Sequence, residues 1–310
     1  MANAANTDKI TLNDARDALL RSGYLIEDRL ETTLRARDYY VEANEAYPDP
    51  ESGKSRELDL YAMNALRAGP GDYDFIFGVL LIECVNNPQP LAFMTKEPLV
   101  GFLHHEDVRL SGLPAKMPDK RYAQAWQSLS DYLGMDKYHH YCRGRVATQY
   151  CSFALKKKGP SEWMATHDES HFDAFRKLAA AVDHYSRNHF ESWTFGGPEY
   201  VNIEFYYPAL VVQGSLLEVR QTGKAVKISE TDHVQYRMST IAGKEQTTYQ
   251  IDVVTERFFG KFLDVIDREL QKTRRLLRRR HREVRKAITR IIRGARRLRS
   301  PEKIRAAMDF

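Results

Sequence analysis

The sequence predicts a mixed α/β protein in which helices cover the faces of a β-sheet. Three observations predict this class: an amphipathic helical pattern near the N-terminus, three apolar segments separated by turn signals directly after it, and further helical and strand-like patterns in the rest of the chain. A hydrophobic content of 43% and an aromatic content of 11% are typical of globular proteins. At 310 residues, the chain is long enough for one large domain, or for a domain with an extension.

The first predicted element is a helix over 12–37, with Gly23 as a break between two pieces. Ile26, Leu30 and Leu34 recur at four-residue spacing and give the second piece one apolar face. We expect this face to pack against the sheet.

Three strands are predicted next, at 39–46, 57–65 and 75–85. Turn signals separate them at 48–53, which is rich in Pro, Asp, Ser and Gly, and at 69–72. The third strand is a long apolar run, which predicts a central strand that is covered on both faces.

The later part of the chain is predicted to begin with a loop-rich region over 91–120. The elements expected after it are helices at 122–133, at 146–157 and from Ser170 to about 189, a hairpin-like strand pair at 200–212 and 215–220, and one or two helices over 258–299. The predicted organisation is therefore a domain over 1–269 with a loop-rich insertion around 91–145, followed by a basic helical extension over 270–310.

Two acidic residues interrupt the apolar strands. Asp59 stands in the middle of the second strand, and Glu83 stands near the end of the third. A carboxylate on an apolar strand is costly to remove from water unless a partner binds it. A shared divalent metal ion is the simplest partner for both, and an ion pair with a buried arginine such as Arg56 is the alternative.

The order of helix, strand, strand with Asp59, strand with Glu83 and then helix resembles the core of the PD-(D/E)xK superfamily, the restriction-endonuclease-like nucleases. The resemblance is good over 22–87, extends more weakly through 214 and does not cover 270–310. It implies a restriction-endonuclease-like mixed central sheet flanked by helices. Gln149 loosely resembles a glutamine that some members carry on the following helix.

The resemblance also implies a set of functional residues. Asp59, Glu83 and the main-chain carbonyl of Cys84 would bind Mg²⁺ or Mn²⁺. Glu27 would join them from the first helix, with Glu31, one turn later, as a competitor.

The chain departs from the family pattern at Val85, where the motif lysine should stand on the same strand face as Glu83. That lysine stabilises the attacking water and the phosphate charge, and valine can do neither. Asn87 could supply a hydrogen bond but no charge, and the site could also be inactive and kept for binding. A lysine elsewhere could replace it, with Lys54, Lys96, Lys156 and Lys157 as candidates.

Two histidine patterns invite comparison with zinc sites. His139 and His140 precede Cys142, but the paired spacing of zinc ligands is missing, so a surface histidine pair is the favoured interpretation. His167 and His171 have helical metal-ligand spacing, but we expect them to straddle the start of a helix.

The C-terminal segment carries the basic character of the chain. Residues 270–310 hold sixteen Lys or Arg and three acidic residues, a net charge of +13; because the whole chain has +5, residues 1–269 have −8. The arginines surround an apolar line, which predicts a basic amphipathic helix. The candidate nucleic-acid-binding residues are Arg274, Arg275, Arg278, Arg279, Arg282, Arg285, Arg290 and Arg293.

Several partners fit such a helix. Nucleic acid fits because arginine neutralises phosphate and releases counterions. An anionic membrane surface fits less well because the apolar line lacks Trp and Phe. The acidic body of the protein itself is a third partner, and arginines that are merely solvated are the plain alternative.

The resemblance thus implies a Mg²⁺-dependent nuclease or a nuclease-derived protein that acts on nucleic acid, with DNA favoured, and a role in defence or repair. The alternative is a catalytically inactive protein that binds nucleic acid or a partner on the same fold. Three cysteines, no apolar stretch typical of a secretory signal and no membrane-spanning run favour a cytoplasmic location.

Overall fold

The computed structural model describes residues 9–22, 24–50, 53–71, 73–97, 108–122, 125–156, 161–167, 169–192, 200–242 and 245–298. Lys157, one of the lysines considered above, lies outside these residues, as does the segment 299–310. Among the described helices, none combines the length and the apolar character that crossing a membrane requires.

The described chain forms six α-helices and fourteen strands, with short 3-10 turns between some of them. The helices are α1 (Leu12–Ser22), α2 (Tyr24–Arg35), α3 (Leu129–Leu133), α4 (Glu169–Ser192), α5 (Phe259–Arg279) and α6 (His281–Leu298). The strands are β1 (Tyr40–Pro48), β2 (Ser55–Arg67), β3 (Phe75–Val85), β4 (Leu91–Lys96), β5 (Leu110–Leu113), β6 (Lys116–Pro118), β7 (Trp126–Ser128), β8 (Val146–Leu155), β9 (Trp163–Thr166), β10 (Asn202–Val212), β11 (Leu216–Thr222), β12 (Ala225–Thr231), β13 (His233–Ala242) and β14 (Glu245–Thr255).

Twelve of these strands belong to one mixed sheet, in the order β1-β2-β3-β10-β14-β13-β8-β4-β11-β12, with β5 beside β10 and β9 beside β8. Strands β1, β2 and β3 form an antiparallel meander. Strand β10 then runs parallel to β3, and β14 runs parallel to β10. The prediction of a mixed α/β sheet flanked by helices is confirmed.

Helices cover the two faces of the sheet in separate cores. Helices α2, α5 and α6 pack over one face, where Leu80 and Ile82 of β3 are buried. Helix α4 packs over the other face, against Val79 and Leu81 of the same strand. Strand β3 is therefore central and buried on both sides, as its apolar run predicts.

The three strands predicted at 39–46, 57–65 and 75–85 are confirmed as β1, β2 and β3, because each apolar run ends at a strong turn signal.

The helix predicted at 146–157 is wrong, since this segment is β8, which lies between β13 and β4. Its buried residues there are Ala147, Tyr150 and Ser152, and the spacing of the two apolar ones suits a helix equally well. Tertiary pairing decides the outcome.

Two further predictions need correction. The helix predicted at 122–133 is reduced to α3, which follows the short strand β7. The strands β10 and β11 are not a hairpin, because β10 lies between β3 and β14, whereas β11 pairs with β4 and β12. The loop-rich region contains β4, β5 and β6.

Helix α5 approaches β3 closely at Gly78. A Cβ atom added at Gly78 would lie 2.4 Å from Cδ1 of Leu270, so only glycine fits there without a shift. Further along α5 and α6, Leu277, Val284 and Ile288 are buried in the same core. Residues 270–292 thus contribute a continuous apolar stripe to the core of the protein.

Candidate functional site

Asp59 lies where the pairing of β2 is interrupted. Its neighbours Leu58 and Leu60 both pair with β1, but Asp59 does not. Asn44, the β1 residue that would lie opposite Asp59, has a φ of 54°. A carboxylate oxygen of Asp59 instead accepts a hydrogen bond of 2.6 Å from the backbone N–H of Cys84. The irregularity thus turns the Asp59 side chain towards the end of β3.

Glu83 is the most deeply buried carboxylate of this site. Its side chain is 4% exposed, and Oε2 lies 2.7 Å from Nζ of Lys177. The other oxygen, Oε1, is buried without a well-formed hydrogen bond from any described residue. Burial and then the negative charge of Asp59 raise the pKa of Glu83 to about 8, although Lys177 acts in the opposite direction.

Lys177 supplies the cation that β3 lacks. It belongs to α4, which packs on the sheet face towards which Glu83 and Val85 point, and its side chain is 32% exposed. Sequence reasoning overlooked this lysine because it is 94 residues away from Glu83 along the chain. Arg56, the alternative partner of the strand carboxylates, forms its ion pair with Asp49.

Glu27 contributes from the start of α2. Burial and then the charges of Asp59 and Glu57 raise its pKa, and Lys177 lowers it, so these groups share one electrostatic environment. The competing Glu31 is held in an i, i+4 ion pair of 2.7 Å with Arg35.

The residues present fit an oxygen-ligated cation in chemical type. Carboxylate and carbonyl oxygens are the ligands of Mg²⁺ and Mn²⁺, and the buried Oε1 of Glu83, which lacks a well-formed hydrogen bond, is of the right type to bind such an ion. The carboxylates of Glu27, Asp59 and Glu83 do not, however, form a group whose oxygens all lie within 4.8 Å of one another. In the described ranges, only His139, His140 and Glu269 do so.

The structure also locates two weaker candidates. Asn87 accepts a hydrogen bond of 3.0 Å from the backbone N–H of Gly214 and donates one to the carbonyl of Gln89, so it holds a turn. Gln149 is an exposed residue of strand β8, so its resemblance to a helical glutamine is wrong.

The predicted basic helix consists of α5 and α6. Arg274 donates to Gln271, and the guanidinium of Arg285 lies 5.6 Å from the ring centre of Tyr200 and 3.9 Å from a carboxylate oxygen of Asp74. The other candidates are exposed and have no ion pair with a described residue: Arg275, Arg278, Arg279, Arg282, Arg290 and Arg293. The apolar side of both helices is buried, so the arginines form a solvent-facing basic surface.

The expected surface pair of His139 and His140 is wrong. His139 is buried and the His140 side chain is 10% exposed, and both lie next to Glu269 of α5, with Asp252 of β14 beside His140. The second pattern is as expected: α4 begins at Glu169, so His167 precedes the helix and His171 lies in its first turn.

Comparisons of the chain with protein-family models, with curated proteins and with solved structures find no match.

Proposed function

We propose that the protein is a metal-dependent phosphodiesterase that cleaves nucleic acid, with DNA favoured, on a restriction-endonuclease-like fold. The observation that carries this proposal is the contact of 2.7 Å between Lys177 and Glu83. It places a lysine beside Glu83, where this chain has Val85 in the position of the motif lysine.

The chain topology supports the same proposal. Helix α2 precedes the antiparallel strands β1, β2 and β3, and helix α4 precedes β10, which pairs in parallel with β3. The order of α2, three strands and α4 is the one that the PD-(D/E)xK resemblance implies. Strands β4 to β9 are then an insertion between β3 and α4.

The residues divide the chemistry between them. Asp59, Glu83 and the Cys84 carbonyl would hold Mg²⁺ or Mn²⁺, and Glu27 would take part from α2. A bound cation of this kind lowers the pKa of water and neutralises charge on the phosphate. Lys177 carries a positive charge beside Glu83 and is partly exposed, so its Nζ can donate to a phosphate oxygen or to the attacking water.

The exposed arginines of α5 and α6 would hold the nucleic-acid backbone. Arginine contacts to phosphate release counterions and do not read sequence. The apolar stripe of the two helices is buried in the core, so this surface offers charge and little else. That favours a polyanion over a membrane as the partner.

The proposal is tested by cleavage assays on plasmid, linear and single-stranded DNA and on RNA, with Mg²⁺ and with Mn²⁺. The variant Lys177→Met should lower the cleavage rate by about 100-fold or more, as removal of a charge-stabilising donor does in other enzymes. Lys227→Met, which alters an exposed lysine of β12, is the matched control and should cleave like the wild type. Adding Val85→Lys to Lys177→Met should restore part of the rate.

Two results would count against the proposal. Equal cleavage by the wild type and Lys177→Met would show that the lysine has no role. A wild type that binds DNA but cleaves no substrate with either metal would favour the inactive binding protein. Calorimetry with Mn²⁺ separates the steps, because Asp59→Ala should abolish metal binding whether or not the protein cleaves.

A further inference from the structure

A second cluster of potential ligands lies in the core on the α5 side of the sheet. Nδ1 of His140 is 2.9 Å from Oε2 of Glu269, and Nε2 of His139 is 3.6 Å from the same oxygen. The side chains are 2% exposed for His139, 10% for His140 and 6% for Glu269. Their ligand atoms all lie within 4.8 Å of one another.

One atom of this cluster lacks a partner. Nδ1 of His139 accepts a long hydrogen bond of 3.2 Å from the backbone N–H of Tyr141. Nε2 of the same ring is buried and has no hydrogen bond to any described residue, although it points at Glu269. A buried polar atom in this position usually has a bonded partner, such as a water molecule or an ion.

The surroundings of His140 match those of a metal-bound histidine. Its Nε2 lies 3.1 Å from Asp252, a carboxylate that also receives hydrogen bonds from Tyr141 and from His233. Metal-ligating histidines typically donate their second ring N–H to such a carboxylate, which fixes the tautomer and leaves the other nitrogen free for the metal. Asp252 would therefore orient Nδ1 of His140 towards Glu269.

The two distances to Glu269 also suit a tetrahedral ion. Zinc bonds of about 2.0–2.1 Å place tetrahedral ligand atoms roughly 3.3 Å apart, and the two distances to Glu269 are 2.9 and 3.6 Å. Two imidazoles and one carboxylate favour Zn²⁺ over Mg²⁺ or Ca²⁺. Water would complete the coordination.

We propose that His139, His140 and Glu269 form a binding site for Zn²⁺, separate from the site at Asp59 and Glu83. The metal replaces the proton on Nδ1 of His140, which is released to solvent. The proton of His139 moves from Nε2 to Nδ1, so the long hydrogen bond from Tyr141 breaks. Zn²⁺ brings two positive charges and displaces one proton, so binding adds one net positive charge beside the carboxyl groups of Asp252 and Glu269.

The site would serve the structure of the protein. It joins the 3-10 turn His140–Cys142 to α5, which carries Glu269, and to β14, which carries Asp252. A metal that binds only the folded arrangement stabilises that arrangement.

The test uses full-length protein that has been stripped with a chelator and is then titrated with Zn²⁺ against a chromophoric competitor. We expect one tightly bound Zn²⁺ and a rise in Tm. Glu269→Gln should weaken binding by more than the roughly 10–100-fold that is expected for Asp252→Asn, a partner beyond the ligands. Lys227→Met, at an exposed lysine of β12, and Asp59→Ala, at the separate carboxylate site, are the controls and should keep the tight site.

Three outcomes would overturn the proposal. Wild-type protein could bind no Zn²⁺ tightly, or Glu269→Gln could bind as tightly as the wild type. If Glu269→Gln does not fold, Co²⁺ in the wild-type protein decides: an intense visible band of four-coordinate Co²⁺ supports the site, and the weak band of six-coordinate Co²⁺ refutes it.

Discussion

The pair of Glu83 and Lys177 should make the stability of the metal-free protein depend on pH. Burial raises the pKa of Glu83 from 4.5 to about 8 in the folded protein. Between these values the folded state holds a proton that the unfolded chain has released, so the free energy of unfolding falls as the pH rises from about 4.5 to about 8. Replacing Glu83 by glutamine removes this contribution.

The magnitude follows from the two pKa values. The difference between 4.5 and about 8, at about 1.4 kcal/mol for each pH unit, corresponds to at most about 5 kcal/mol. Lys177→Met should cost about 1 kcal/mol at pH 5, where it removes one hydrogen bond to a neutral acid. At pH 9 it should cost roughly 2–3 kcal/mol, because the bond is then charged but Lys177 is partly solvated.

Urea unfolding of the wild type, Glu83→Gln and Lys177→Met at pH 5, 7 and 9 measures these differences, with Lys227→Met as the control. Glu83→Gln should gain stability relative to the wild type as the pH rises. Parallel curves for these two proteins would refute the assignment of a buried, proton-binding Glu83. An equal cost of Lys177→Met at pH 5 and pH 9 would refute the charged contact.

Three further outcomes are expected. Gly78→Ala should lower the free energy of unfolding by roughly 1–3 kcal/mol, because the added Cβ would lie 2.4 Å from Leu270. Gly294→Ala, which has open space around the added Cβ, is the control. Equal urea midpoints for Gly78→Ala and the wild type would contradict the close approach. Asn44→Val should destabilise the protein by roughly 1–2 kcal/mol, because a φ of 54° is unfavourable for a β-branched residue. Asn44→Gly should stay close to the wild type in stability. Similar thermal midpoints for the two variants would count against backbone strain at this position. Replacing the exposed residues Arg275, Arg278, Arg279 and Arg282 by glutamine should lower the affinity for DNA. It should also reduce the slope of log K against log salt by about 0.9 for each phosphate that is no longer neutralised. An unchanged slope in filter-binding assays would show that these arginines do not contact DNA.

The sequence was sufficient for the first three strands but not for the site as a whole. Apolar runs and turn signals are local, so β1 to β3 and their two carboxylates could be located from the residues alone. Lys177 could not, because nothing near it in the chain distinguishes it from other helical lysines. The contact with Glu83 exists only because α4 packs over β3.

The histidine cluster was missed for a similar reason. Its adjacent histidines were visible, but their carboxylate partners Glu269 and Asp252 lie 129 and 112 residues away in sequence. The same limit applies to β8, where a short apolar pattern fits both a helix and a strand until its neighbours are known.

The burial of Leu270 and of the apolar stripe that follows it gives the basic surface a thermodynamic link to folding. Removing 270–310 would delete core residues together with the arginines. Weaker DNA binding by the truncated chain could then result from unfolding as well as from the loss of the arginines. Within the folded protein, the like charges of α5 and α6 repel one another. A bound polyanion relieves that repulsion, so duplex DNA or heparin should raise the Tm, and the increase should shrink as salt is added.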